Sequence, residues 1–190
     1  MSIDEKLVEA AKQLVGAADK LVDESLPAEI AEIVKLHSKG AAASGVAAGW
    51  IPGAAGVAAA VVSGAFIWSM YGRINAAIDV PIAENVLKSL GSGIATNLAA
   101  YFLGGGVVAA VLSFFPGVGS VGASAVVGMT AYALTLASGY VYLQVLTQLF
   151  LSGRDPTKMD AESLKNAATS VIDETDVRGV IEEAKAAYKR

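Results

Sequence analysis

The chain has 190 residues, a net charge of −4 and a pI near 5.0, with 54% hydrophobic and only 17% charged residues. It holds no cysteine and a single histidine, His37, which excludes disulfides, thiolate metal sites and a cysteine nucleophile. The acidic balance offers no basic patch for nucleic acid, and the charged fraction lies well below the ~25% of an ordinary soluble domain.

The opening, MSIDEKLVEAAKQ, is charged and amphipathic, unlike the basic-then-apolar pattern of a secretory signal. From Ile3 to Glu24, Leu-Val pairs recur at 7–8, 14–15 and 21–22, a seven-residue repeat that puts one apolar stripe on a helix. Such a helix packs on its own protein, lies on a bilayer surface, or pairs with another helix through Leu7, Leu14 and Leu21. Pro27 suits the first turn of a second helix, which reaches about His37 with Ile30, Ile33 and Val34 on one side. His37 reads as a residue at a membrane-water boundary.

Two intervals then carry no formal charge. The first runs from Gly40 to Gly72, 33 residues, and the second from Ser89 to Gly153, 65 residues. A helix crosses the bilayer core with ~20 apolar residues, so the second interval has length for two or three crossings. In the first interval Pro52-Gly53 breaks the chain, leaving a short piece from Gly40 to Ile51 and a longer one from Ala54 to Tyr71. Arg73 to Lys88 returns to a charged, amphipathic pattern and reads as a membrane-surface connector. In the second interval Pro116-Gly117 plays the part of Pro52-Gly53. Val118 to Leu151 follows as one long helix or as two pieces parted near Gly139. IPGAAGVAAAVVSGA from Ile51 echoes FPGVGSVGASAVVG from Phe115, the pattern of a repeat-built membrane protein.

Small residues recur every four positions, at Gly45, Gly49 and Gly53 and at Ser120, Ser124 and Gly128. In lipid such ridges let helix backbones approach closely, within a subunit or between subunits. Asn97 is costly to expose to lipid, so it is expected to face another helix or a pore, as is Thr130. Neither interval holds an acid or base for a proton relay or for catalysis, and no enzyme is expected. Gly117-Val-Gly119-Ser-Val-Gly122 fits a dinucleotide loop in letters only, since a preceding strand and a following acid are missing. No cofactor or metal is expected.

From Arg154 the tail is soluble in character. Asp160 or Ser163 starts a helix bearing Leu164, Ala168, Val171 and Ile172, and Thr175 starts another. Each uncharged interval is bordered by a basic residue at both ends, Lys39 and Arg73, then Lys88 and Arg154. Basic borders favour the cytoplasmic face, so each interval is expected to enter and leave on one side, as a hairpin turning at its Pro-Gly.

IPGAAG at Ile51, YGRINAAIDVPI at Tyr71 and FPGVGSVGASAVVGMTAYAL at Phe115 carry a resemblance over Trp50 to about Leu151, half the chain. This block resembles a family of uncharacterised prokaryotic Gly/Ala-rich hydrophobic membrane domains, often fused to or encoded beside Era-like or dynamin-like GTPases. The resemblance implies membrane association and a GTPase partner acting in trans; it supplies no catalytic motif.

The sequence thus predicts an all-α protein of integral membrane hairpins with amphipathic N- and C-terminal helices. Its regions are 1–39, an amphipathic N-terminal stretch; 40–153, a membrane-embedded domain with the connector 73–88; and 154–190, a soluble helical tail. The expected partners are the lipid bilayer, further copies of the chain and a GTPase. The expected location is the bacterial inner membrane with both termini cytoplasmic. The expected role is a scaffold or anchor, with a pore-forming oligomer, including one that is soluble before it inserts, as the alternative.

Overall fold

The computed structural model describes residues 12, 15–16, 19–20, 22–48, 55–104 and 121–174; side chains at 48, 55–62, 99–104, 121–123, 126 and 172–174 are not described. The described residues form helices and turns, with no strand among them: α1 (Ala28–Ala48), α2 (Ala55–Ala77), α3 (Glu84–Gly104), α4 (Val121–Leu151), a 3-10 turn (Pro156–Lys158) and α5 (Ala161–Glu174).

The spacing of apolar residues decides which face of each helix turns inward. On α2 the buried side holds Ser63, Ile67, Met70, Tyr71, Ile74 and Asn75; on α3 it holds Leu87, Leu90, Ile94 and Leu98. On α5 Leu164, Ala168 and Val171 are buried while Glu162 and Lys165 face solvent. Helix α4 is different. From Ala131 to Leu146 it is buried on nearly every side, as an apolar helix without a polar face must be. It forms the axis of the bundle.

Pair contacts fix the directions. Gly45 meets Gly128 and Ala131, while Val34 meets Gly139, so α1 and α4 are antiparallel. Gly40 meets Phe66 and His37 meets Ser69, which makes α1 and α2 antiparallel too. Tyr71 reaches Ser138 and Asn75 reaches Tyr142, so α2 and α4 run parallel. Gly91 lies against Ile67 and Tyr71, whereas Leu87 shares a groove with Gly72 and Asn75, so α3 is antiparallel to α2. Asn97 bonds Thr169 and Gly93 meets Lys165, so α5 climbs beside α3 in the same direction. The C-terminal ends of α1 and α3 and the N-terminal ends of α2 and α4 therefore lie at the same end of the bundle.

The ends are marked by local chemistry. At the end of α4, Gly153 takes φ 71°, the Arg154 N–H bonds the Leu149 carbonyl at 2.9 Å, and the Gly153 N–H bonds Phe150 at 3.0 Å. This is a Schellman stop. Asp155 then accepts from the Thr157 N–H at 3.0 Å to start the 3-10 turn, and Asp160 accepts from the Ser163 N–H at 2.7 Å to start α5.

Composition borders are not element borders. The expected divide near Gly40 is absent, because α1 passes through it and turns Ala41 and Gly45 toward α4. Most of the expected connector 73–88 is helix, with 73–77 closing α2 and 84–88 opening α3. Gly139 does not part α4, since its missing side chain makes room for Val34 and Met70. One helix among the described residues, along Val127–Leu151 with mean hydropathy 1.3, is long and apolar enough to cross a membrane. Its most apolar window is 67% buried within the bundle, and the core helix of a water-soluble bundle has the same length and composition.

Candidate functional site

The place where chemistry changes along the bundle is the level at which formal charge stops. Lys39 on α1, Arg73 on α2 and Lys88 on α3 mark it. The pairings above put all three within roughly two helical turns of one another along the axis. Beyond that level 40–48, 55–72, 89–104 and 121–133 carry no charge. On the other side α1 presents Glu29 and Glu32, α3 presents Glu84, and Asp79 closes α2. Lys88 sits on the boundary, bonded to Glu84 at 2.7 Å and 5.1 Å from the Trp68 ring centre. This ion pair holds the Glu84 carboxyl below its ordinary range.

Two amphipathic stretches run beside the uncharged half. Tyr132, on its part of α4, donates to Asp19 at 2.9 Å, and Lys35 pairs with Asp23. These contacts lay the N-terminal segment antiparallel to α1. On the opposite flank Asn97 Nδ2 donates to Thr169 Oγ1 at 3.0 Å, tying α3 to α5. Asn97 thus has an interhelical partner.

Of the small-residue ridges, Gly45 and Gly128 form the crossing of α1 and α4. A Cβ at Gly45 would lie 3.2 Å from Gly128 Cα, and one at Gly128 would lie 2.9 Å from the Ala42 carbonyl oxygen. This close approach is internal to one chain, so these two glycines are not free to pack against another copy. Ser124 is buried with its hydroxyl unpartnered, and Thr130 is half-buried on α4. Gly49, Pro52, Gly53, Pro116, Gly117, Ser120, Leu7, Leu14 and Leu21 lie outside the described residues.

Residue type alone did not point to the polar knot at the charge border. Tyr71 and Tyr142 stack with ring centres 3.9 Å apart at 10°. The Tyr71 hydroxyl lies 2.6 Å from Ser138 Oγ, and the Tyr142 hydroxyl donates to Asn75 Oδ1. Asn75 Nδ2 is buried with no partner beside a small groove of about 270 Å³ lined by Gly72, Asp79 and Leu87. Both pairs share a separation of 67 residues, as parallel α2 and α4 require. Among the described residues no three acidic or histidine side chains are placed to hold a metal ion.

The chain matches no family model, no curated protein and no solved structure.

Proposed function

We propose that this protein is a membrane scaffold or anchor that enters a bilayer from one face with its uncharged end and keeps its charged end in water. The observation that carries this reading is the common level of Lys39, Arg73 and Lys88, beyond which four helices hold no formal charge. The C-terminal ends of α1 and α3 and the N-terminal ends of α2 and α4 face that uncharged end, as one-sided entry requires. The depth is limited: 40–48 on α1 measures about 14 Å as helix, against a hydrocarbon core of about 30 Å. The N-terminal segment and α5 then act as amphipathic helices that move from the bundle flank to the lipid surface on entry. Assembly with further copies and docking of a GTPase onto the charged end belong to the same proposal.

The test is fractionation with a carbonate wash, followed by sizing of the detergent extract. Retention in the membrane fraction as a discrete oligomer is expected. Release as a stable monomer overturns the reading. Cysteines placed at Ser120 and Ser170 add the topology: one-sided entry predicts that Ser170 labels from the cytoplasmic side and Ser120 does not.

A second reading has its own support. Helix α4 is sheathed by other helices, two of its flanks by charged amphipathic ones, as in a soluble form that later inserts and opens a pore. Dye release from liposomes separates the two, because a scaffold leaves them sealed.

A further inference from the structure

A groove of about 400 Å³ lies between α1 and α2 at the charge border, within the size range of small-ligand sites. Its wall toward the uncharged end is Gly40, Ala65 and Phe66, and its other end holds Ser69 and Arg73. The Phe66 ring lies against Gly40, where any Cβ would collide with it. Leu36, 57% exposed, forms the rim although a large apolar side chain in water gains nothing there. His37 closes the floor and is 7% exposed. Its Nδ1 lies 2.8 Å from the Ile33 carbonyl and so carries a hydrogen, and its Nε2 lies 3.3 Å from the Ser69 hydroxyl. That fixes Ser69 and leaves Arg73 as the donor group of the groove. Among the described residues Arg73 has no ion pair. Glu32, the acid nearest in register on α1, does not reach it.

We propose that this groove binds an acidic phospholipid, with its phosphate on Arg73 and the first part of one acyl chain along Leu36 and Phe66. The inference rests on the bilayer reading, which brings a phospholipid to this level. Three features fit that ligand. The guanidinium is a fork of donors suited to phosphate. The apolar wall continues from it toward the uncharged end, so head and tail are ordered as in a bilayer. A peptide strand would leave its N–H and C=O groups unpaired against Leu36, Gly40, Ala65 and Phe66.

The experiment is native mass spectrometry of the full chain from neutral detergent, with phosphatidylglycerol or phosphatidylcholine added. The wild type should retain phosphatidylglycerol about tenfold better than phosphatidylcholine, the ratio one partly exposed charge pair supplies. R73Q should lose that preference. A65F, which fills the groove from its exposed rim, should lose retention of both lipids, and K158Q at a remote cation should change neither. Equal retention of the two lipids by the wild type, or an unchanged preference in R73Q, overturns the site. Competition by decanoate or by inorganic phosphate as strong as by phosphatidylglycerol overturns the phospholipid assignment in favour of a free acid or a bare anion. Helicity by circular dichroism checks that each variant folds. A carbonate-resistant chain without lipid preference sinks the groove alone, whereas a chain released by carbonate sinks the bilayer reading.

Discussion

The crossing of α1 and α4 at the uncharged end and the contact of α2 with α4 at the charge border are packed in opposite ways. At and below the charge border the side chains are large: Tyr71 stacks on Tyr142, Ile74, Leu146 and Leu149 fill the space, and Asn75 Oδ1 and Ser138 partner the tyrosine hydroxyls. Above it α1 and α4 cross through small residues, with Gly45 against Gly128 and Ala131 and with Ala41 buried beside them, while Ile67, Leu90, Ile94 and Leu98 bury large side chains on α2 and α3. Burial of Leu, Met or Tyr stabilises in water because large apolar area leaves solvent. Glycine and alanine remove little area, and close backbone approach between them is the packing that works where the surrounding solvent is itself apolar. The α1–α4 crossing is thus close-packed through small residues, whereas the α2–α4 contact is built on large apolar area.

The strongest way to break that contrast is to separate α1 from α4 at their crossing. Gly128→Val places new atoms against Val46 Cγ2 at 2.5 Å and against the Ala42 carbonyl oxygen at 2.9 Å, and the latter is backbone that cannot swing away. A loss of about 3 kcal/mol is expected, at the upper end of ordinary overpacking, read as a lower denaturant midpoint in detergent. Gly72→Ala is the paired control, since nothing lies within 4 Å of its Cβ. It should instead add about 0.5–1 kcal/mol of helix propensity. If the two variants behave alike, the small-residue crossing is not what holds the upper half together.

In the lower half the corresponding probe is Tyr142→Phe. It removes the one partner of the Asn75 side chain and leaves a buried amide with neither end bonded, since Nδ2 has no partner already. The expected cost is about 2 kcal/mol. Asn75→Leu in the same background should recover part of it, because an apolar side chain has no hydrogen bonds to lose. Failure of that recovery would mean that water already serves Asn75.

How much of this was legible in the sequence follows from the same contrast. Helical class was readable because apolar spacing on α2, α3 and α5 is local information. The Gly45 and Gly128 spacing marked residues that do lie at a helix crossing, although not which helices would meet. The composition borders at Gly40 and at 73–88 do not coincide with helix ends, because helix continuity depends on propensity rather than on charge, and neither Arg73 nor Lys88 breaks a helix. The Tyr71, Asn75, Ser138 and Tyr142 knot was hidden because its members are 67 residues apart and no local rule pairs a buried Asn with a distant Tyr.

A smaller effect sharpens the question of what covers the uncharged half. Tyr132→Phe deletes the bond to Asp19, which holds the N-terminal segment against α4. The stability loss should be about 1 kcal/mol, that of one partly exposed bond to a charged group. Binding to vesicles should rise, because the apolar surface beneath becomes easier to expose. Unchanged or weaker vesicle binding would show that the segment does not act as a cover.

The smallest effect is one of pH, and it should stop at the charge border. Hydrogen bonds from the Thr157 side chain, then from Lys158 and the Thr157 N–H, hold the Asp155 carboxyl down at about 2 from an ordinary 3.8. Asp160 is lowered too, first by the Ser163 N–H. A depressed folded-state value means that the charged form is favoured by folding. The contribution is present in full above 3.8 and is lost as pH falls from there toward about 2. Both groups are solvent-exposed, so the loss should be a local fraying of the 3-10 turn and the start of α5 rather than global unfolding. Residues 89–153 hold no carboxylate, and their amide protection has no such titration to follow. Hydrogen exchange at pH 5 and pH 2.5 should show protection falling at 157–164 and holding at 131–146. Asp155→Asn should remove most of the pH dependence at the 3-10 turn. Loss of protection spreading equally into α4 would mean that the two halves unfold as one unit, and the division drawn between them would then describe packing without separate stability.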